Sequence, residues 1–252
     1  MSRVLGIGWD VGGWMGGKHG VAVTQWTDGT DTIQWLGSTA CSIPAGTMFS
    51  PRSLVESAVK NINIDMHENT KIVIGIDAPL GYPTDFIKLV SGDEVLFERP
   101  AKEIENRLAY RDTERYIYQT FGKKPLSAAF DKLGNNATVA LYHIRTWCRD
   151  LGYSVHPMTE KPQDKKIIIE VYPALIKDEK GKAHNPVKEL LPSGIIEGTD
   201  QSDAAICAVL AIAYGANGRF EKLPKLIGPT NEWCEPSKKE GWIYHLPREV
   251  IV

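Results

Sequence analysis

Residues 71–81 read KIVIGIDAPLG. Five of the first six residues are apolar or glycine, and four of them are β-branched. A continuous run of this kind predicts a strand buried on both faces, as in the centre of a parallel sheet. Pro79 has no N–H to give to a central ladder, so the strand must stop beside Asp77. The run therefore sets an acid at the end of a central strand. Two other stretches share the pattern. RVLGIGWD (3–10) ends in Asp10, and KIIIEVY (166–172) carries Glu170 and is closed by Pro173.

Working outward, Gly20–Trp26 and Thr32–Leu36 read as two further strands joined by the Asp28–Gly29 turn signal. With the first strand they form a three-stranded meander. Ser50 and Pro51 suit a helix cap and first helical position, and Leu54, Val55, Ala58, Val59 and Ile62 follow at helical spacing. Glu103–Tyr118 predicts a helix. Ala128–Leu151 predicts a longer one that Gly134-Asn135-Asn136 interrupts and Gly152 ends. Asp200 caps a helix running to about Gly215, apolar round nearly its whole girth, as expected of one packed closely on a sheet. Trp242–Tyr244 reads as a short edge strand. These elements predict a single α/β domain over 1–252. Its mixed sheet of about five strands is flanked by helices and interrupted by a largely helical insertion or cap at 80–127.

The 252 residues are 42% hydrophobic and 24% charged, with 29 Lys and Arg against 31 Asp and Glu. That composition is globular, and the balanced charge speaks against a polybasic duplex binder. The four cysteines are widely spaced with no CxxC pair, which fits neither a zinc site nor a disulfide scaffold. No apolar run approaches a membrane span, and MSRVLGIGWD lacks the features of a signal peptide. The expected setting is cytoplasmic, away from membranes. The oligomeric state is left open.

Strand-end acids in an α/β sheet converge beyond the carboxyl ends of the strands. Asp10, Asp77 and Glu170 come from strands, and Asp200 and Asp203 from the start of the buried helix. Each has a plain reading too: Asp10 as a turn residue, Asp77 as an Asx-turn, Asp200 as a helix cap. Glu170 and Asp203 are harder to explain so, because each adjoins apolar sequence. Gathered together, like charges raise one another's pKa unless a cation neutralises them. Mg²⁺ or Mn²⁺ is the partner that hard oxygen ligands select. Between 99 and 124 seven basic residues stand against four acidic ones. On the expected helix Arg107, Arg111 and Arg115 share one face, as a phosphate clamp or as a solvated face laced with acids. Tyr110, Tyr116, Tyr118 and Phe121 suit base stacking or core packing. Lys177, Lys180 and Lys182 follow the third acidic strand as candidate phosphate contacts.

A GxD strand end, IDAPLG (76–81), EVYP (170–173) and DQSDAA (200–205) together resemble the DUF429 family of predicted nucleases with a ribonuclease H-like fold. The resemblance extends from Gly6 to about Tyr244, and the final helix is also similar to that of Holliday-junction resolvases. It implies that Asp10, Asp77, Glu170 and Asp203 are the catalytic, metal-binding acids, with Asp200 accessory. It also implies that the arginine segment after IDAPLG binds substrate. The expected activity is metal-dependent hydrolysis of a phosphodiester, in structured or single-stranded nucleic acid or in a small molecule. Two other classes remain: an actin-like ATP-binding phosphotransferase, since GWDVGG resembles a first phosphate loop, and a nonenzymatic binding protein of the same fold.

Overall fold

The structure is a computed structural model describing residues 2–15, 18–60, 66, 70–131 and 133–251. The meander is present: β1 (Arg3–Asp10) pairs antiparallel with β2 (His19–Thr27), and β2 with β3 (Ile33–Cys41). α1 (Pro51–Ala58) opens on a capping box in which Ser50 Oγ accepts from Ser53 N–H at 3.0 Å. It crosses to β4 (Thr70–Asp77), which runs parallel to β1 with Asp10 directly opposite Asp77. α2 (Thr84–Ser91), α3 (Asp112–Phe121) and α4 (Gly134–Leu151) follow. β5 (Ser154–Val155) and β6 (Lys166–Val171) return to the sheet. The chain ends through α5 (Val187–Leu190), α6 (Asp200–Ala216), α7 (Cys234–Glu240), β7 (Ile243–Tyr244) and α8 (Arg248–Ile251).

The sheet is mixed, in the order β3-β2-β1-β4-β6-β5, with β7 also on β6. β1, β4 and β6 are its parallel centre. Period-two alternation splits their side chains between two cores. Leu5, Ile7, Trp9, Ile72, Ile74 and Ile76 pack toward α1 and α4. Val4, Val73, Ile167 and Ile169 pack toward α6. Glycines let α6 lie unusually near the strands: a Cβ on Gly8 would stand 1.8 Å from the Ala204 carbonyl oxygen, and one on Gly20 1.9 Å from that of Asp200. That approach carries the first turn of α6, with Asp203, over the ends of β1 and β2.

Several elements depart from expectation. Instead of a helix over 103–118 there is one 3₁₀ turn, Glu103–Glu105, then a bend in which Asn106 Oδ1 accepts from Leu108 N–H at 3.0 Å. The local side-chain bond offers the backbone an alternative to helix, and α3 starts only at Asp112. Arg107, Arg111 and Arg115 therefore share no helical face. Likewise Ser127 Oγ accepts from Ala129 and Phe130 N–H, closing a separate turn, and Gly134-Asn135-Asn136 begins α4 rather than interrupting it. Gly152 ends α4 in the left-handed conformation as expected, with φ 70°. Thr199, not Asp200, caps α6. α1 ends at Ala58; Ile62, and Gly16 and Gly17 of the glycine-rich turn, lie outside the described residues. Among the described residues no helix is long and apolar enough to cross a membrane.

Candidate functional site

The carboxyl ends of β1 and β4 put Asp10 and Asp77 side by side on a cavity of about 280 Å³, walled by Leu126, Leu133, Asn136 and Tyr172. Burial, then repulsion from Asp203 and Asp200, raises the Asp10 carboxyl to about 7, against the pull of Lys177. Burial, then Asp10 and Asp203, pushes Asp77 well above the carboxylate range, again against Lys177. Proximity of like charges in a poorly solvated place is the cause in both cases. Asp203 is half-buried in the first turn of α6, and both its oxygens accept from Lys177 Nζ at 2.7 Å. Asp200 is exposed. Thus three acids, Asp10, Asp77 and Asp203, feel one ammonium, that of Lys177.

Among the described residues no three His, Cys, Asp or Glu side chains are gathered as a ready metal site. The donor chemistry nonetheless suits a hard ion at Asp10 and Asp77, since Mg²⁺ is commonly held by one or two carboxylates, water and substrate phosphate.

Glu170 belongs to a different network. It is 3% exposed, and its oxygens accept from Arg111 at 2.5 and 2.8 Å and from the Leu80 N–H at 2.9 Å. Arg111, 1% exposed, also donates to Glu114 at 2.7 Å and to the Glu240 carbonyl at 2.9 Å. Burial opposes the guanidinium charge, but Glu114 and Glu170 hold its pKa above the ordinary value. Glu170, expected as a metal ligand, and Arg111, expected as a phosphate contact, both border the cavity, and their polar atoms bond to each other. The network ties the turn after β4, the start of α3, β6 and the end of α7 into one strut.

The remaining sequence candidates scatter. Arg107 is exposed, 3.4 Å from Asp85, and Arg115 pairs with Asp112. Lys182 is exposed, 3.9 Å from Glu197. None of the three borders the acidic cavity. Tyr116 packs on Trp233, Trp242 and His245, and Tyr110 is buried with Ile104 and Ala109, so packing takes both; Tyr118 is exposed. His19 is buried, its Nδ1 accepting from Trp9 Nε1 and Gly12 N–H, each at 3.1 Å.

Three residues at the site carried little or no signal in the sequence. Lys177 looked like one of several loop lysines. Tyr172, whose hydroxyl is raised to about 12 by burial and by Asp77, looked like part of a strand. Asn136 looked like a helix breaker; its amide donates to the Val11 carbonyl at 2.5 Å and braces the glycine-rich turn.

The fold and site define an α/β protein with an under-compensated acidic pole where its parallel strands end. The chain belongs to the family described as "Protein of unknown function (DUF429)", whose model matches residues 8–177. The match takes in Asp10, Asp77, Arg111, Glu170 and Lys177 and stops before α6, leaving Asp200 and Asp203 beyond it. No curated protein and no solved structure matches the chain.

Proposed function

We propose that the acidic pole is the active site of a metal-dependent phosphodiester hydrolase with a ribonuclease H-like fold, using Mg²⁺ or Mn²⁺. The observation that carries this reading is the pairing of Asp10 with Asp77 at the ends of adjacent parallel strands, each with its proton affinity raised. Two carboxylates held together at such cost are explained if a cation uses their charge. The sheet order, an antiparallel meander continued by parallel strands, supports the fold.

In this reading Asp10 and Asp77 hold the ion. The ion, when bound, supplies acidity to a water and charge to a phosphate oxygen. Leu126 and Leu133 give the cavity an apolar wall, which lowers the local dielectric and strengthens electrostatic contacts there. Near-neutral net charge goes with a single-stranded or structured nucleic acid, or a small phosphodiester, rather than long duplex. The four cysteines are free, in keeping with a cytoplasmic setting.

The test is cleavage of single-stranded, duplex and branched nucleic acid and of bis(p-nitrophenyl) phosphate, in Mg²⁺ or Mn²⁺ and in chelator. Cleavage should need the ion and vanish in Asp10→Asn. Full activity of Asp10→Asn, or undiminished activity in chelator, sinks the reading.

A further inference from the structure

Lys177 stands where a second cation would stand. Its backbone is fixed on both sides. It follows the 3₁₀ turn Pro173–Ile176 that β6 leads into, and it bridges to Ala183 across a small hairpin closed by Asp178 N–H to the Lys182 carbonyl at 2.9 Å. The side chain is mostly buried and spans to α6, where the ammonium meets both oxygens of Asp203 at 2.7 Å. A carboxylate bound in this way has one lone pair of each oxygen taken up by the ammonium. A divalent ion such as Mg²⁺ needs a ligand oxygen at about 2.0–2.1 Å, and a second positive charge brought there is repelled by the ammonium. Pairing with Lys177 and ligation of an ion by Asp203 therefore compete. Nearby Lys123, whose ammonium donates to the Ala174 carbonyl, adds further positive charge on the same side.

We propose that Lys177 is a tethered cation that reserves Asp203, so that the acidic pole takes one divalent ion fewer than its carboxylates would otherwise hold. The inference rests on the reading of Asp10 and Asp77 as ion ligands. It makes Lys177 a positioning residue that sets the number of ions. In the parent protein the ion sits at Asp10 and Asp77 and the ammonium supplies the other positive charge; without Lys177, Asp203 becomes free to ligate.

The experiment counts bound Mn²⁺ by calorimetric titration and by electron paramagnetic resonance. It compares the full chain with Lys177→Met, Lys177→Arg and the double variant Lys177→Met with Asp203→Asn. Circular dichroism confirms folding. Lys177→Met should take up one more Mn²⁺ than the parent, and Lys177→Arg, which keeps the charge, should match the parent. The double variant should lose the extra ion. A Lys177→Met protein that folds and binds no more Mn²⁺ than the parent overturns the inference, whatever number the parent binds. If Lys177→Met fails to fold, Lys177→Gln takes its place in the same count. A parent that binds none overturns the metal-dependent function and, with it, the inference that rests on it. A parent that binds one, unchanged by the substitution, leaves that function standing without the tether.

Discussion

Two ionic clusters lie at neighbouring strand ends and differ in how their charges are matched. Around Arg111 the guanidinium grips both oxygens of Glu170 and one oxygen of Glu114; the Arg111 main-chain N–H donates to the other Glu114 oxygen, and the Leu80 N–H adds a second bond to Glu170 Oε2. Around Asp10 and Asp77 the acids confront one another, and the Lys177 ammonium is taken up by Asp203. The first cluster is closed and nearly complete in hydrogen bonds. The second borders a cavity and keeps its repulsion. Buried charge in a folded protein is paired or it shifts its protonation. The first cluster takes the former course and the second the latter. In the proposed function the first cluster serves the fold and the second the chemistry, although the sequence offers acids of similar aspect in both.

Breaking the closed cluster should have the largest effect. Arg111→Met leaves Glu114 and Glu170 buried without their cation, and removing one partner of a buried ion pair costs about 3–5 kcal/mol. Urea unfolding should show a loss of that order. Replacing the whole set, Arg111→Met with Glu114→Gln and Glu170→Gln, removes the uncompensated charge and should recover most of it. A single Arg111→Met that unfolds like the parent would mean that the network contributes nothing to the fold.

The open cluster should respond in the opposite sense. An unfolded Asp titrates near 3.9, and the folded Asp10 near 7. Between these values the folded state holds a proton that the unfolded state has released. The Asp10 contribution to stability therefore falls as pH rises from about 4 to about 7, and its full penalty persists above. Asp10→Asn removes the charge while keeping the shape. It should raise stability at pH 8 by about 1–3 kcal/mol and flatten the pH profile over that window. Thermal melts across pH, in chelator, check both. An Asp10→Asn protein less stable than the parent at pH 8, or a stability difference between variant and parent that does not grow from pH 4 to 7, would contradict the repulsion described for this cluster.

The strands and their acids were legible in the sequence because β-branched runs end abruptly at Asp10 and at Asp77-Ala78-Pro79, and because the alternating glycines leave room for one long apolar helix. Which acids stay free was not legible. Glu170 and Asp77 both sit at the end of an apolar strand. What separates them is Arg111, 59 residues before Glu170, arriving through a bend at Asn106 that helical periodicity conceals. Lys177 was hidden for a related reason: its importance comes from the register between the turn after β6 and the start of α6, a distance in space rather than along the chain. The arginine stripe failed because an i, i+4, i+8 spacing describes a face only where the backbone is helical throughout.

The smallest expected effect belongs to the arginine that neither cluster captures. Arg107 lies in the turn before α3, exposed, with Asp85 3.4 Å away. Exposed ion pairs contribute about 0–1 kcal/mol, so Arg107→Ala should change unfolding by no more than about 0.5 kcal/mol. It should also leave the pH profile of the acidic pole as it is. Its value is as a contrast with Arg111. The two are four residues apart and were equivalent as candidates for phosphate contact, yet only Arg107 has a solvent-exposed guanidinium. If the insertion meets substrate phosphate, Arg107→Ala should weaken binding of a single-stranded oligonucleotide in Ca²⁺, which permits binding without supporting cleavage, and should lower the salt dependence of that binding by about one phosphate's worth. Equal binding and an equal salt slope in parent and variant would remove the insertion's exposed arginine from the substrate surface, and Asp85 would then be its sole partner.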